Sequence, residues 1–146
     1  MAMKSTESQM NEIIVEISKV NNQVGKTIKN ELSVAAKPVV SNLQANTPVG
    51  TRTHKRYSNG SVVATYSPGN LKKSIKVLRF AGSKSAVFVG PSVGKKKPND
   101  GYYARFIQFG TKFIGENRFI ERGLSTSLNE SLKVMTSILK SKIDKI

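Results

Sequence analysis

The side chains of this 146-residue chain that could do chemistry are few and far apart. His54 is the one histidine, set between Arg52 and Lys55-Arg56, and no nearby acid could orient it as a base. There is no cysteine to serve as nucleophile, disulfide partner or thiolate ligand. A nucleophile–base–acid arrangement would therefore lack its central member unless Asp100 or a glutamate folded in from a distance. The nine acids are scattered, and none forms a ligand pair in the basic part of the chain, which speaks against a metal site. Gly90-Pro91-Ser92-Val93-Gly94-Lys95 invites comparison with a phosphate-binding loop. Three residues separate its glycines where four are needed, and Lys96 stands where Ser or Thr would meet magnesium. The segment reads as a basic surface loop, and Asp100 as a turn cap. The expectation is a protein that is not an enzyme and takes no cofactor or metal.

The remaining candidates for chemistry are the charges. Net charge is +15, and its distribution is uneven. Residues 51–112 hold thirteen Lys and Arg against Asp100 alone, whereas the segments on either side are near neutral. Such a field favours polyanions, through salt-dependent contacts that do not read sequence. It serves equally well to keep a surface soluble or to meet an acidic neighbour. Arg52, Lys55, Arg56 and the run Lys95-Lys96-Lys97 are the candidates for that surface.

Aromatic residues concentrate at Gly101–Lys112, GYYARFIQFGTK, where Tyr102, Tyr103, Phe106 and Phe109 fall within eight positions of a chain that has ten Phe and Tyr and no Trp. Beside Arg105 and Lys112 the rings could stack on bases. Aromatics at this spacing equally make a packing plug, which is the preferred reading.

The elements that must position these residues follow from periodicity. Met10, Ile13, Ile14, Ile17, Val20, Val24, Ile28, Leu32, Ala35, Val39 and Leu43 recur every three or four residues, one stripe of a long helix. Pro38 should kink it or begin a second helix, and Thr47-Pro48-Val49-Gly50 ends it. Asn59-Gly60 predicts a tight hairpin between Lys55–Ser58 and Val62–Tyr66, an arm spanning 51–68. Strands are expected at Leu71–Phe80 and Ser85–Gly90. Periodicity leaves Tyr102–Phe109 open between helix and strand. Ile120, Leu124, Leu128, Leu132, Met135, Leu139 and Ile143 predict a second amphipathic helix over about 117–144. The fold class is α+β: a small antiparallel sheet of three to five strands flanked by a long N-terminal and a long C-terminal helix, one domain over 1–146. No apolar run approaches the ~20 residues that span a bilayer. The N-terminal residues lack the apolar core of a signal peptide, so neither membrane nor secretion is expected.

In this order, Thr47-Pro48-Val49-Gly50-Thr51, Gly69-Asn70-Leu71-Lys72-Lys73-Ser74-Ile75 and Tyr103-Ala104-Arg105-Phe106-Ile107-Gln108-Phe109-Gly110-Thr111 resemble the neck or tail-completion proteins of long-tailed bacteriophages. The order of motifs spans about residues 8–145. Three departures stand out: Arg52–Pro68 is inserted between the first two motifs, Gln108 stands where the family often has Glu, and the entry to the last helix lacks proline. The resemblance favours a short helix at 102–109 and gives Gly69, Leu71, Ile75, Tyr103, Phe106, Ile107, Phe109 and Gly110 packing roles, with Tyr103, Phe106, Ile107 and Phe109 buried in the domain or at a subunit seam.

The function it implies is that of a structural virion protein at the head–tail junction, made in the host cytoplasm. There it would form a homo-oligomeric ring, expected to be six-fold, around the DNA channel. Partners would be further copies of the chain, the head-connector or stopper protein, and the tail terminator or tube protein. The charged loops would meet genomic DNA in the lumen or, as the preferred alternative, dock on an acidic neighbour. A free-standing basic nucleic-acid-binding module is the second reading.

Overall fold

A computed structural model describes residues 6–79, 81–82, 86–94 and 99–145. The predicted stripe forms helix α1, Thr6–Ala35, followed at once by α2, Lys37–Asn46. Pro38 lies in the first turn of α2, where its missing N–H does least harm. Hydrogen bonds from Ala36 N–H to Leu32 O (2.9 Å) and from Val40 N–H to Ala36 O (3.1 Å) carry the backbone across the junction. Thr47 ends α2 by turning extended while its hydroxyl donates to Leu43 O at 2.6 Å.

The arm forms as expected: β1, His54–Ser58, pairs antiparallel with β2, Ser61–Tyr66. Asn59 and Gly60 both take positive φ, 49° and 77°, the conformation that a two-residue hairpin turn requires. A register shift between Arg56 and Tyr57 twists the arm midway. Only Tyr66, at its base, is buried.

The strand expected at Leu71–Phe80 is corrected. Asn70–Ser74 is a single helical turn, α3, and only Ile75–Leu78 is a strand, β3. The four-residue step from Leu71 to Ile75 sends both side chains into the core. Strand β4, Phe88–Pro91, starts later than Ser85, and residues 83–85 lie outside the described residues. β3 and β4 pair antiparallel, Ile75 opposite Pro91 and Val77 opposite Val89. The four strands thus make two separate two-stranded ladders rather than one sheet. The arm offers almost no buried side chain with which to join the second ladder.

The aromatic stretch forms the short helix α4, Ala104–Phe109, and the C-terminal stripe forms α5, Phe119–Ile143. The core gathers where α2 crosses α5. Val39, Leu43, Leu71, Ile75, Ala104 and Phe119 are buried together, and Val40, Val89, Tyr103, Ile107, Ile120 and Leu124 pack around them. Gly123 makes the crossing close: a Cβ there would fall 2.9 Å from Leu43 Cα. Further out, the C-terminal part of α1 lies along α5, held by Ser131 Oγ donating to Ala35 O at 2.6 Å and by a 3.2 Å ion pair between Lys142 and Glu31. The rest of α1 runs clear of the body. Met10, Ile13, Ile14, Ile17, Val20 and Val24 are all exposed. No described helix is long and apolar enough to cross a membrane.

Candidate interaction surface

Polar groups fix the base of the arm to the aromatic segment. Asp100 is buried; its carboxylate accepts from Tyr66 Oη at 3.1 Å, from Gly94 N–H at 3.2 Å and from Tyr102 N–H at 3.1 Å. The bond two residues on is the expected turn cap. Asn70 Nδ2 donates to Asp100 O at 2.7 Å and to Tyr103 Oη at 3.3 Å. One buried network therefore ties β2, α3 and the entry to α4 together. Burial raises the Tyr66 phenol above its ordinary pKa. A hydrogen bond with Arg56 works against this rise, and the Asp100 carboxylate adds to it.

The rings stack around this network. Tyr66 lies 5.4 Å from Tyr102 and 5.3 Å from Tyr103, the second pair edge to face. Tyr102 meets Phe106 edge to face at 6.5 Å. The half-buried rings pack on one another, with cations seated on the outer ones. Arg56 stacks 4.2 Å above Tyr102, Arg105 4.9 Å from Phe106, and Lys112 5.8 Å from Phe113.

Beside the rings an apolar groove of about 450 Å³ opens between the arm and the loop after α4, lined by His54, Lys55, Tyr66, Phe106, Phe113 and Ile114 among others. Phe113, at its rim, is 90% exposed. Gly110 makes this loop possible. Its φ is 75°, and a Cβ would fall 2.7 Å from Ile114 O.

The candidate residues divide accordingly. Arg56 is half-buried on Tyr102, whereas Arg52 and Lys55 are exposed. Lys95, Lys96 and Lys97 lie outside the described residues. Leu71 and Ile75 are buried, and Gly69 starts α3 with φ 81°. Tyr103, Phe106 and Ile107 are half-buried. Phe109, expected to be buried in the domain or at a seam, is 65% exposed in the single chain. It is the last residue of α4 and turns away from the core, and Arg118 lies 5.9 Å from its ring. His54 lines the groove, and no group of three or more His, Cys, Asp or Glu that could hold a metal occurs among the described residues.

Two functional positions escaped the sequence reading. Tyr66 and Asn70 carry the network, yet sequence marked them only as a strand end and a turn residue. Gln108, noted as a departure from the expected Glu, is 2% exposed and caps α5: its Oε1 accepts from Ile120 N–H at 3.0 Å. Beside it, Arg118, in left-handed conformation (φ 54°), pairs with Glu121 at 2.8 Å and Glu116 at 2.9 Å. These bonds, with Glu121 foremost, raise its guanidinium pKa further.

The α+β body carries several exposed apolar faces, among them the α1 stripe, the leucine face of α5 and the aromatic groove, and such faces mark contact with other molecules. Residues 11–110 match the HK97-gp10-like family, described as "Bacteriophage HK97-gp10, putative tail-component", and the chain belongs to that family. Membership places it among the structural, tail-related proteins of bacteriophages. No curated protein and no solved structure matches the chain.

Proposed function

We propose that this chain is a structural subunit of the head–tail junction, a neck or tail-completion protein whose copies close into a ring, expected to be six-fold, around the DNA channel. It joins the head connector to the tail, takes its place in the virion after assembly in the host cytoplasm, and performs no catalytic step. The observation that carries this reading is the apolar stripe of α1, exposed from Met10 to Val24 in a chain of a phage tail-component family. A helix of that composition is marginal in water without a partner, because most helical stability comes from packing an apolar face. The exposed Arg52 and Lys55 on the arm supply charge for docking on an acidic neighbouring protein.

Phage made without this chain tests the reading. Filled heads and separate tails that fail to join, and detection of the chain in purified wild-type virions, are the expected results. Its absence from virions, or normal infectious yields without it, would overturn the proposal.

A further inference from the structure

Two exposed apolar surfaces on this chain differ in the charge at their edges. The first is the stripe Met10, Ile13, Ile17, Val20 and Val24, with steps of three, four, three and four. That spacing is the anchor pattern of a helix that lies in a groove. This half of α1 carries Glu12 and Glu16 against Lys19, while Lys26 and Lys29 lie further along. The second is the aromatic groove, lined by Lys55, Phe106, Phe113 and Ile114, with Arg105 stacked on Phe106 and Lys112 on Phe113, in the segment that holds most of the net charge.

We infer that the first half of α1 of one copy, about residues 8–24, seats in the aromatic groove of a second copy. The exposed side chains of Met10, Ile13, Ile17 and Val20 form one apolar face along this half helix, the kind of face that binds by lying in a groove. Glu12 and Glu16 would meet the cations of the groove, whereas a partner helix of basic character would be repelled by them. The groove is not filled by the chain's own α1, because α1 is one continuous helix anchored to α5 at its other end. The contact joins two different surfaces, so repeating it from copy to copy closes a ring or extends a filament, whereas pairing of α1 with α1 would stop at a dimer. The inference rests on the ring proposed above and names the surfaces that form it.

The absence of native cysteine permits a direct test. Ile17→Cys and Phe113→Cys are placed on separately tagged copies, produced together during phage growth, and oxidised both in purified particles and in concentrated solution. Both positions are exposed, so neither change disturbs the core. A disulfide between the two tags, several-fold above that formed by either variant alone, is the expected result. Predominant Ile17→Cys self-linking, or no cross-link in particles that contain the chain, would overturn the contact and leave the head–tail role standing. If particles lack the chain, the head–tail role fails, and the cross-link in solution decides the contact by itself.

Discussion

Gln108 and Ile120 are twelve positions apart in the chain, and the side-chain carbonyl of the first accepts the backbone N–H of the second at 3.0 Å. Through this bond the aromatic segment ends where the last helix begins. The N-terminal residue Arg118 makes no side-chain cap of its own, so Gln108 satisfies a free N–H from outside the helix. Gln108→Ala is expected to cost about 1–2 kcal/mol, the usual loss for a removed cap. Urea denaturation measures it, and a loss under about 0.5 kcal/mol would show that another group replaces the amide.

Gly123→Ala sets two effects against each other. Alanine favours a helix interior by about 1 kcal/mol over glycine. Here its Cβ would meet Leu43 Cδ2 at 2.7 Å and Leu43 Cα at 2.9 Å, and backbone cannot yield as a side-chain tip can. Overpacking of this kind costs about 1–3 kcal/mol, so the net change is expected to be destabilising. A raised melting temperature would show that the α2–α5 crossing adjusts freely.

Tyr66 gives the fold an alkaline sensitivity. Its folded pKa stands above the ordinary 10.0, chiefly through burial, so the native state favours the neutral phenol. The stabilisation is complete below the unfolded value and is lost as pH rises through the folded one. Urea midpoints between about pH 8 and pH 11 should fall, and Tyr66→Phe should flatten that fall while lowering stability at neutral pH through loss of the bond to Asp100. Equal slopes in the two proteins would assign the decline to other groups.

The arm's cations separate into two kinds. Arg52→Ser with Lys55→Ser should leave stability within about 0.5 kcal/mol, since both are exposed. Arg56→Ser should cost about 0.5–1 kcal/mol through lost stacking on Tyr102. If the arm docks on a neighbour, the Arg52/Lys55 pair should lower the yield of joined particles with folding intact. Unchanged yields would refute that role.

Much of this architecture was legible from spacing alone. The two long helices, the break at Pro38 and the hairpin at Asn59-Gly60 each follow from a local rule, and each formed within a few residues of its expected place. The strand at Leu71 failed because a four-residue step between apolar residues suits one helical turn as well as a strand edge. Tyr66 and Asn70 were missed, and Gln108 was noted only as a departure, for a different reason. Their importance lies in partners 12 to 34 residues away, which no local pattern encodes. The aromatic cluster stood out by composition, but the groove beside it depends on the loop at Gly110, which only the folded chain displays.

The close crossing at Gly123 reaches beyond the core. It holds α2 against α5, and two backbone hydrogen bonds, Ala36 to Leu32 and Val40 to Ala36, bridge α1 and α2 around Pro38. Helix α1 has 30 residues and so extends about 45 Å. Its direction from the body depends on the close approach at Gly123, a hydrogen atom where every other amino acid would place a carbon, and on its contacts along α5. A tilt of a few degrees at that point would sweep the far end of the helix through several ångströms. The direction in which the exposed stripe of α1 points would then be set, in part, by the smallest side chain in the protein.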